Sequence, residues 1–326
     1  LQGQAGETRM TEIFFDGMGY DRDHIHGNII GLINRANQHT TINVAIYNWG
    51  YTSQGIDIKN AVNRAAQRGS CINIVAGKCS FLDLFNSNIN IKVFPTGSIG
   101  TRKMHNKFIT ISDNTVIQMS ANFDGGMTGN HNNAVVINDQ KIFDEYNFYF
   151  CDLQKGKTNT NYYRYIKGRS AKYKGYIFPR RHGDTILSIL NNVGCSGSRI
   201  HIAMAYWSIS RVKILEKLIS MSKKGCDIKL IVRNAQHPVY QKLIVKLAET
   251  GLDYRLTSNS YLRALHSKYL LIDGTYAGKQ RKVVFTGSHN YTGSSLRKND
   301  EILLRIIGDE EYDSYIDNWT KIYNQS

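Results

Sequence analysis

Apolar residues recur at i, i+3, i+4 and i+7 in two distant parts of the chain, each time just ahead of an alternating stretch. In IHGNIIGLINRA, Ile29, Leu32, Ile33 and Ala36 share one helix face, and in GDTILSILNNV, Ile186, Ile189, Leu190 and Val193 repeat the spacing. INVAIYNW at 42–49 and IHIAMAYW at 200–207 follow, β-branched and alternating as buried strands require, and Trp49 and Trp207 mark the same strand end. Each strand leads into a second amphipathic helix, carried by Ile58, Ala61, Val62 and Ala65 in one half and by Val212, Leu215 and Ile219 in the other. Gly69 and Gly225 then fit the left-handed position after a helix. The apolar strands CINIVAG and DIKLIVR come next, and after them INIKVF at 89–94 and LDYRL at 252–256.

Helices alternating with strands predict an α/β fold, and the order of elements is written twice. The two tryptophans stand 158 residues apart and the histidines of the motifs below 161 apart, so one duplication explains the register. The expected architecture is two similar lobes related by a pseudo-twofold, each a mixed sheet flanked by helices. Residues 1–157 would form the N-terminal lobe, 158–181 a basic, tyrosine-rich connector, and 182–326 the C-terminal lobe.

Both halves then reach the same short motif, MHNKFITISD at 104–113 and LHSKYLLIDG at 265–274. In a strand, residues i and i+2 share a face, so His105 with Lys107, and His266 with Lys268, each present an imidazole beside an ammonium. The following strands end in MSANF and GSHNY, which would bring Asn122 and Asn290 alongside. Two such half-sites converging give two histidines, two lysines and two asparagines around one pocket. That set fits phosphodiester chemistry: four donors hold the non-bridging oxygens, one histidine attacks phosphorus, and the other moves protons on the leaving and accepting alcohols. The residues leave the two histidines nearly equivalent, and the chemistry calls for neither metal nor cofactor.

HSKYLLID followed by TGSHNYTGSSLRKNDE resembles the phospholipase D superfamily signature, in which HxKxxxxD precedes GSxN and a later N-x-E. The resemblance covers nearly the whole chain and is closest to secreted bacterial members with two motif copies. It implies that His105 is the nucleophile and His266 the general acid, that Lys107, Lys268, Asn122 and Asn290 bind phosphate, and that Glu301 orients a histidine. Asp273 completes the second motif. The first copy departs from the pattern: Ser112 takes the aspartate position with Asp113 one residue late, and NHNNAVV offers Ala134 where the second copy has Glu301. Asp124 is the candidate substitute for the missing carboxylate. His131 and His289 fit no repeated position.

Composition narrows the partner. A net charge of +15 and a pI near 9.5 point to an anionic partner or surface, and 41% hydrophobic residues allow a full core. Lys155 to Arg181 is the densest basic run, with interleaved tyrosines and no acidic residue. Such a run suits a solvated connector, or phosphate contacts with stacking, or a membrane interface. No stretch is apolar enough for a membrane span, and an opening at Leu1 is what a cleaved export signal would leave. Cys71, Cys79, Cys151, Cys195 and Cys226 lack zinc-site spacing. Cys71 and Cys79 flank one apolar run and Cys195 and Cys226 each precede a strand, so two disulfides with Cys151 left over, or buried free thiols, are the two expectations.

Three functions remain. The first is a secreted, monomeric phospholipase D that hydrolyses or transphosphatidylates glycerophospholipids such as phosphatidylcholine. The second is a nuclease with the same phosphohistidine chemistry, favoured by the charge. The third is a catalytically weak binder of anionic membranes or polymers, favoured by the eroded first motif.

Overall fold

The structure, a computed structural model, describes residues 10–17, 24–94, 103–156, 172–260 and 263–326. The first lobe runs β1 (Thr11–Asp16), α1 (His24–Asn34), β2 (Thr41–Trp49), α2 (Ser53–Gln67), β3 (Cys71–Cys79), β4 (Asn90–Val93), β5 (Lys107–Ile111), β6 (Thr115–Met119), α3 (Gly126–Gly129), β7 (Asn132–Asn138) and α4 (Gln140–Gln154). The second lobe runs β8 (Tyr173–Phe178), α5 (Thr185–Asn191), β9 (Val193–Met204), α6 (Val212–Ser222), β10 (Asp227–Arg233), α7 (Pro238–Ala248), β11 (Asp253–Thr257), β12 (Lys268–Tyr276), β13 (Lys279–Gly287), α8 (Gly293–Arg297), β14 (Glu301–Ile307) and α9 (Asp309–Gln325).

Each lobe builds a seven-stranded sheet, in the orders β1-β7-β6-β5-β2-β3-β4 and β8-β14-β13-β12-β9-β10-β11. The orders correspond strand for strand, so the duplication expected from the sequence is the architecture. Three strands in each sheet are parallel, β2-β3-β4 and β9-β10-β11, and the remaining pairs are antiparallel. Strand alternation sorts side chains to two faces. Ile42, Val44 and Ile46 of β2 meet α1 and α2 in one outer core, and Ile200, Ile202 and Met204 of β9 meet α5, α6 and α7 in another. The inner faces share a third core with α4 and α9, where Tyr146, Tyr149 and Phe150 lie in one cluster with Tyr269, Tyr315 and Trp319. Burial of rings of that size dominates the packing of the two lobes.

Hydrogen bonds in the shared core fix which residues face each other. Asn133 Nδ2 of β7 donates to Thr286 Oγ1 of β13 and to the Tyr315 hydroxyl of α9, both at 2.8 Å. Local signals start the helices: Asp16 accepts from the His24 amide at 2.9 Å, and Asp184 accepts from Ile186 N while pairing with the buried Arg211 at 2.7 Å.

Two expectations need correction. The segment proposed as a connector is only partly free of the fold: 157–171 lie outside the described residues, but Tyr173–Phe178 is β8, the edge strand that pairs with β14 as β1 pairs with β7. Of the two disulfides one forms, Cys195–Cys226, with Cα atoms 4.5 Å apart. Cys71 and Cys79 are free, as is Cys151. They occupy opposite ends of β3, where about 3.3 Å of rise per residue separates them far beyond the roughly 7 Å limit for a bridge.

Candidate active site

The site forms where the two lobes exchange backbone. The amide of His105 donates to the carbonyl of Asp300 at 2.9 Å, just before β14, and the Asp300 amide returns to Lys103 at 2.8 Å. The mirror exchange joins His266 to the carbonyl of His131 at 3.0 Å, just before β7, with His131 returning to Ala264 at 3.0 Å. Each motif histidine is therefore anchored by the lobe to which it does not belong.

The same crossing supplies each ring's partner. His105 Nδ1 is 2.9 Å from Glu301 Oε2, and His266 Nδ1 is 3.0 Å from Asn132 Oδ1. Glu301 opens β14 and Asn132 opens β7, so the two are counterparts. Asn132 is held in one orientation: its Nδ2 donates to the carbonyls of Gly126 and Met127, and its Oδ1 also accepts from Ser120 Oγ at 3.0 Å. With Oδ1 facing the ring, His266 must donate from Nδ1, as His105 does to its carboxylate. Nε2 is left on both rings as the nitrogen available to a substrate.

The lysines begin their strands, Lys107 in β5 and Lys268 in β12, and both are buried. Lys107 Nζ donates to the His105 carbonyl at 2.9 Å, and Lys268 Nζ makes the matching contact with the His266 carbonyl. Asn122 and Asn290 follow β6 and β13, and in both lobes the side-chain Oδ1 is buried without a hydrogen-bond partner among the described residues. The matching environments make the two amides counterparts, and it is the Nδ2 of each that can donate to an anion.

Electrostatics bind the half-sites into one. Burial is the main cause of the lowered pKa of His105, about 4, against the opposing pull of Glu301, and Lys107 and Lys268 both add to the lowering. His266 is held well below its ordinary value by burial, then by Lys268, Lys107 and His105. Burial lowers Lys107 to about 7 and depresses Lys268 further, helped by Lys107 itself. Glu301 resists burial and is brought down to about 2, chiefly by His105, so it stays ionised. Two lysines and two histidines thus share one buried carboxylate, and the site is suited to an anionic group.

The family model described as "Cardiolipin synthase, PLD-like domain" matches residues 29–153 and 189–322, most of both lobes. The chain belongs to the phospholipase D-like family. Among solved structures, this phospholipase D-like fold matches phosphatidylserine synthase of Haemophilus influenzae Rd KW20 with a TM-score of 0.69 at 14% identity, over 96% of this chain and 86% of that one. Polyphosphate kinase from Porphyromonas gingivalis matches with a TM-score of 0.64 at 15% identity over 94% of this chain, which spans less than half, 46%, of the kinase. Nuc from Salmonella typhimurium, a phospholipase D family member, matches at 21% identity over 47% of this chain and 96% of its own, with a TM-score of 0.38. Among curated proteins none matches the sequence. At such identities the structural likenesses establish the fold, and the family places the chain in a superfamily of phosphodiesterase-type enzymes.

Within this phospholipase D-like site some expected residues lie elsewhere. Ala134 is not the counterpart of Glu301; the register was two residues off, because Asn130-His131-Asn132 aligns with Asn299-Asp300-Glu301. Asp124 does not replace the carboxylate. It accepts from Asn48 Nδ2 at 2.7 Å and from the Gly126 amide at 3.0 Å, and its charge acts on Lys107. Asp273 lies five residues beyond Lys268 and pairs with Arg199 at 2.5 Å, away from the histidines. His131 serves by its backbone, and His289 stacks on Phe178 with ring centroids 3.9 Å apart.

Tyr47, in β2, belongs to neither motif. Its ring centroid is 4.9 Å from that of His105, and the ammonium groups of Lys107, Lys103 and Lys78 surround it at 5.3, 5.8 and 6.0 Å.

Burial lowers His105, His131 and His201 to about 4 and His289 to about 3, so the folded chain keeps them neutral while the unfolded chain takes up protons below about pH 6.5. The unfolded state binds more protons across that window, and stability should fall as pH drops from about 6.5 toward 4. Urea denaturation at pH 7.0 and 4.5 should show a loss of several kcal/mol; equal midpoints would contradict this charge state.

Proposed function

We propose that the chain is a phosphodiesterase that works through a phosphohistidine on His105 and acts on glycerophospholipids, hydrolysing them or transferring the phosphatidyl group to an alcohol. The observation that carries the chemistry is the pair of half-buried imidazoles with Nδ1 committed and Nε2 without a protein partner among the described residues. The negative charge of the bound phosphodiester lets His266 take up a proton on Nε2; His105 Nε2 then attacks phosphorus while the bond to the leaving oxygen breaks, and His266 gives that oxygen the Nε2 proton. Water or an alcohol then attacks phosphorus, His266 takes its proton, and the Nε2–P bond breaks. Lys107, Lys268, Asn122 and Asn290 hold the non-bridging oxygens.

The partners of the rings favour this division of labour. Glu301 stabilises the positive charge that His105 acquires on phosphorylation. Asn132 fixes the tautomer of His266 without stabilising its imidazolium, which makes it the stronger acid.

For a lipid substrate the supporting feature is the rim. Tyr51, Leu82 and Leu84 are exposed just past β2 and β3, and Val239 and Val245 are exposed on α7 just past β10. These segments follow the strand ends that carry the site, and exposed apolar side chains there, with Lys242 and Lys246 on α7, suit an interfacial enzyme. The Cys195–Cys226 bridge supports work outside the cytosol, and two motif copies in one chain support a monomer. The lysines around Tyr47 favour a second reading, a nuclease that stacks a base there.

The deciding experiment incubates the chain in EDTA with phosphatidylcholine vesicles and ethanol, and in parallel with plasmid and single-stranded DNA. Phosphatidylethanol is the expected product. Cut DNA beside intact lipid would put the nuclease in place of the lipase, and no product in either assay would overturn both. A separate expectation concerns the rings: Asn132→Asp should shift the alkaline limb of the kcat/KM profile upward by about one pH unit or more, whereas an unmoved profile would remove His266 from the acid role.

A further inference from the structure

The two half-sites differ at one place where the sheet register makes them directly comparable. Lys107 lies opposite Ile46 and Lys268 opposite Met204, and those residues lie opposite Ala76 and Val232 on the next strand. The residues one step further, Gly77 and Arg233, are therefore counterparts. Gly77 has no room for a side chain: a Cβ there would sit 2.7 Å from the Tyr47 carbonyl and 2.8 Å from that of Met104. The second lobe puts a guanidinium at the same position.

Arg233 is built into place rather than trailing in solvent. Its Nε donates to Asn259 Oδ1 at 2.9 Å, its Nη1 donates to the Tyr206 hydroxyl at 2.8 Å, and the guanidinium stacks 5.0 Å from the Tyr206 ring, which in turn lies 5.3 Å from that of Tyr240. Both hydrogen-bond partners are neutral, and no carboxylate pairs with it among the described residues. Its charge is felt at His266 and Lys268, both of which it pushes down. A fixed cation with one edge uncommitted, beside two buried groups that it destabilises, is in place for a second anion.

We propose that Arg233 is a specificity-determining residue that binds a negative charge carried by the leaving or accepting alcohol, so that the preferred alcohol bears a phosphate or carboxylate of its own. This rests on the lipid phosphodiesterase reading above, with His266 as the acid. In-line displacement puts the departing and incoming oxygens opposite His105 and next to His266, the side on which Arg233 stands. An alcohol with a fixed cation, such as choline, meets repulsion there. An anionic alcohol gains a charge-assisted hydrogen bond to Nη2. The chemistry of transfer is unchanged: the acceptor O–P bond forms, the His105 Nε2–P bond breaks, and the acceptor proton goes to His266.

Equal concentrations of glycerol and glycerol 3-phosphate, competing as acceptors with phosphatidylcholine vesicles as donor, test the assignment. The wild-type chain should favour glycerol 3-phosphate by about ten- to hundredfold, the worth of one charge-assisted bond. Arg233→Gln should bring the product ratio to about one, and Arg233→Lys should keep part of the preference. A wild-type ratio near one, or a ratio untouched by Arg233→Gln, overturns the proposal. Calorimetry decides the same question without lipid turnover. Propane-1,3-diol bisphosphate should bind wild type at least about tenfold more tightly than inorganic phosphate does, and Arg233→Gln should erase that gap. If the calorimetric gap is present while only oligonucleotides are cleaved, the second charge is a neighbouring nucleic-acid phosphate and the lipid assignment falls. If the gap is absent, the subsite itself falls, whatever the substrate.

Discussion

Two backbone hydrogen bonds, from His105 to the carbonyl of Asp300 and from His266 to that of His131, hold each motif histidine on the opposite lobe. Because the residues that follow those carbonyls are Glu301 and Asn132, the same crossing sets both ring tautomers. Neither lobe could form a working half-site alone. The inner core between the sheets, with α4 and α9 filling it, keeps the crossing in register, and Asn133, next to Asn132, ties β7 to β13 and α9. Duplication suits the proposed chemistry: a phosphate that reacts in line needs groups on two sides, and each lobe would supply one side while steadying the other.

The charge balance of the site follows from that geometry. Buried ammonium groups beside half-buried imidazoles are costly, and their lowered pKa values record the cost. On the proposed function, a phosphodiester relieves it by bringing a negative charge to where these cations converge. Two of the places where the pseudo-twofold is broken, Glu301 against Asn132 and Arg233 against Gly77, distinguish the His105 side from the His266 side. One makes the rings chemically unequal, and the other makes the two approaches to the phosphate unequal.

Much of this was legible in the sequence because both periodicities are strong where strands and helices bury a full face. Ile29, Leu32 and Ile33 or Ile42, Val44 and Ile46 can be read directly, and the HxK spacing puts imidazole and ammonium on one face of a strand. Three features were not legible for physical reasons. The helices α4 and α9 bury tyrosines and a tryptophan on faces interrupted by polar residues, so Tyr146, Tyr315 and Trp319 carry a weak periodic signal. Strand β8 lies in a basic, tyrosine-rich run whose composition reads as a linker, although its pairing with β14 completes the sheet. The partner of His266 was misplaced because a carboxylate was sought. Asn130-His131-Asn132 matches Asn299-Asp300-Glu301 at its first residue and at its spacing, but changes chemistry at the third. Arg233 could emerge only from strand register, since its counterpart is a glycine.

The central claim is that one phosphorus bonds to His105 while His266 handles protons. The direct measurement is acid-stable-versus-alkali-stable peptide mapping of the His266→Ala chain after a short incubation with a phosphodiester whose leaving group is a nitrophenolate, which departs without a proton. The account predicts an acid-labile, alkali-stable adduct on the peptide that contains His105, accumulating because His266 is missing for its breakdown. An adduct on another residue, or steady turnover with no adduct, would contradict it.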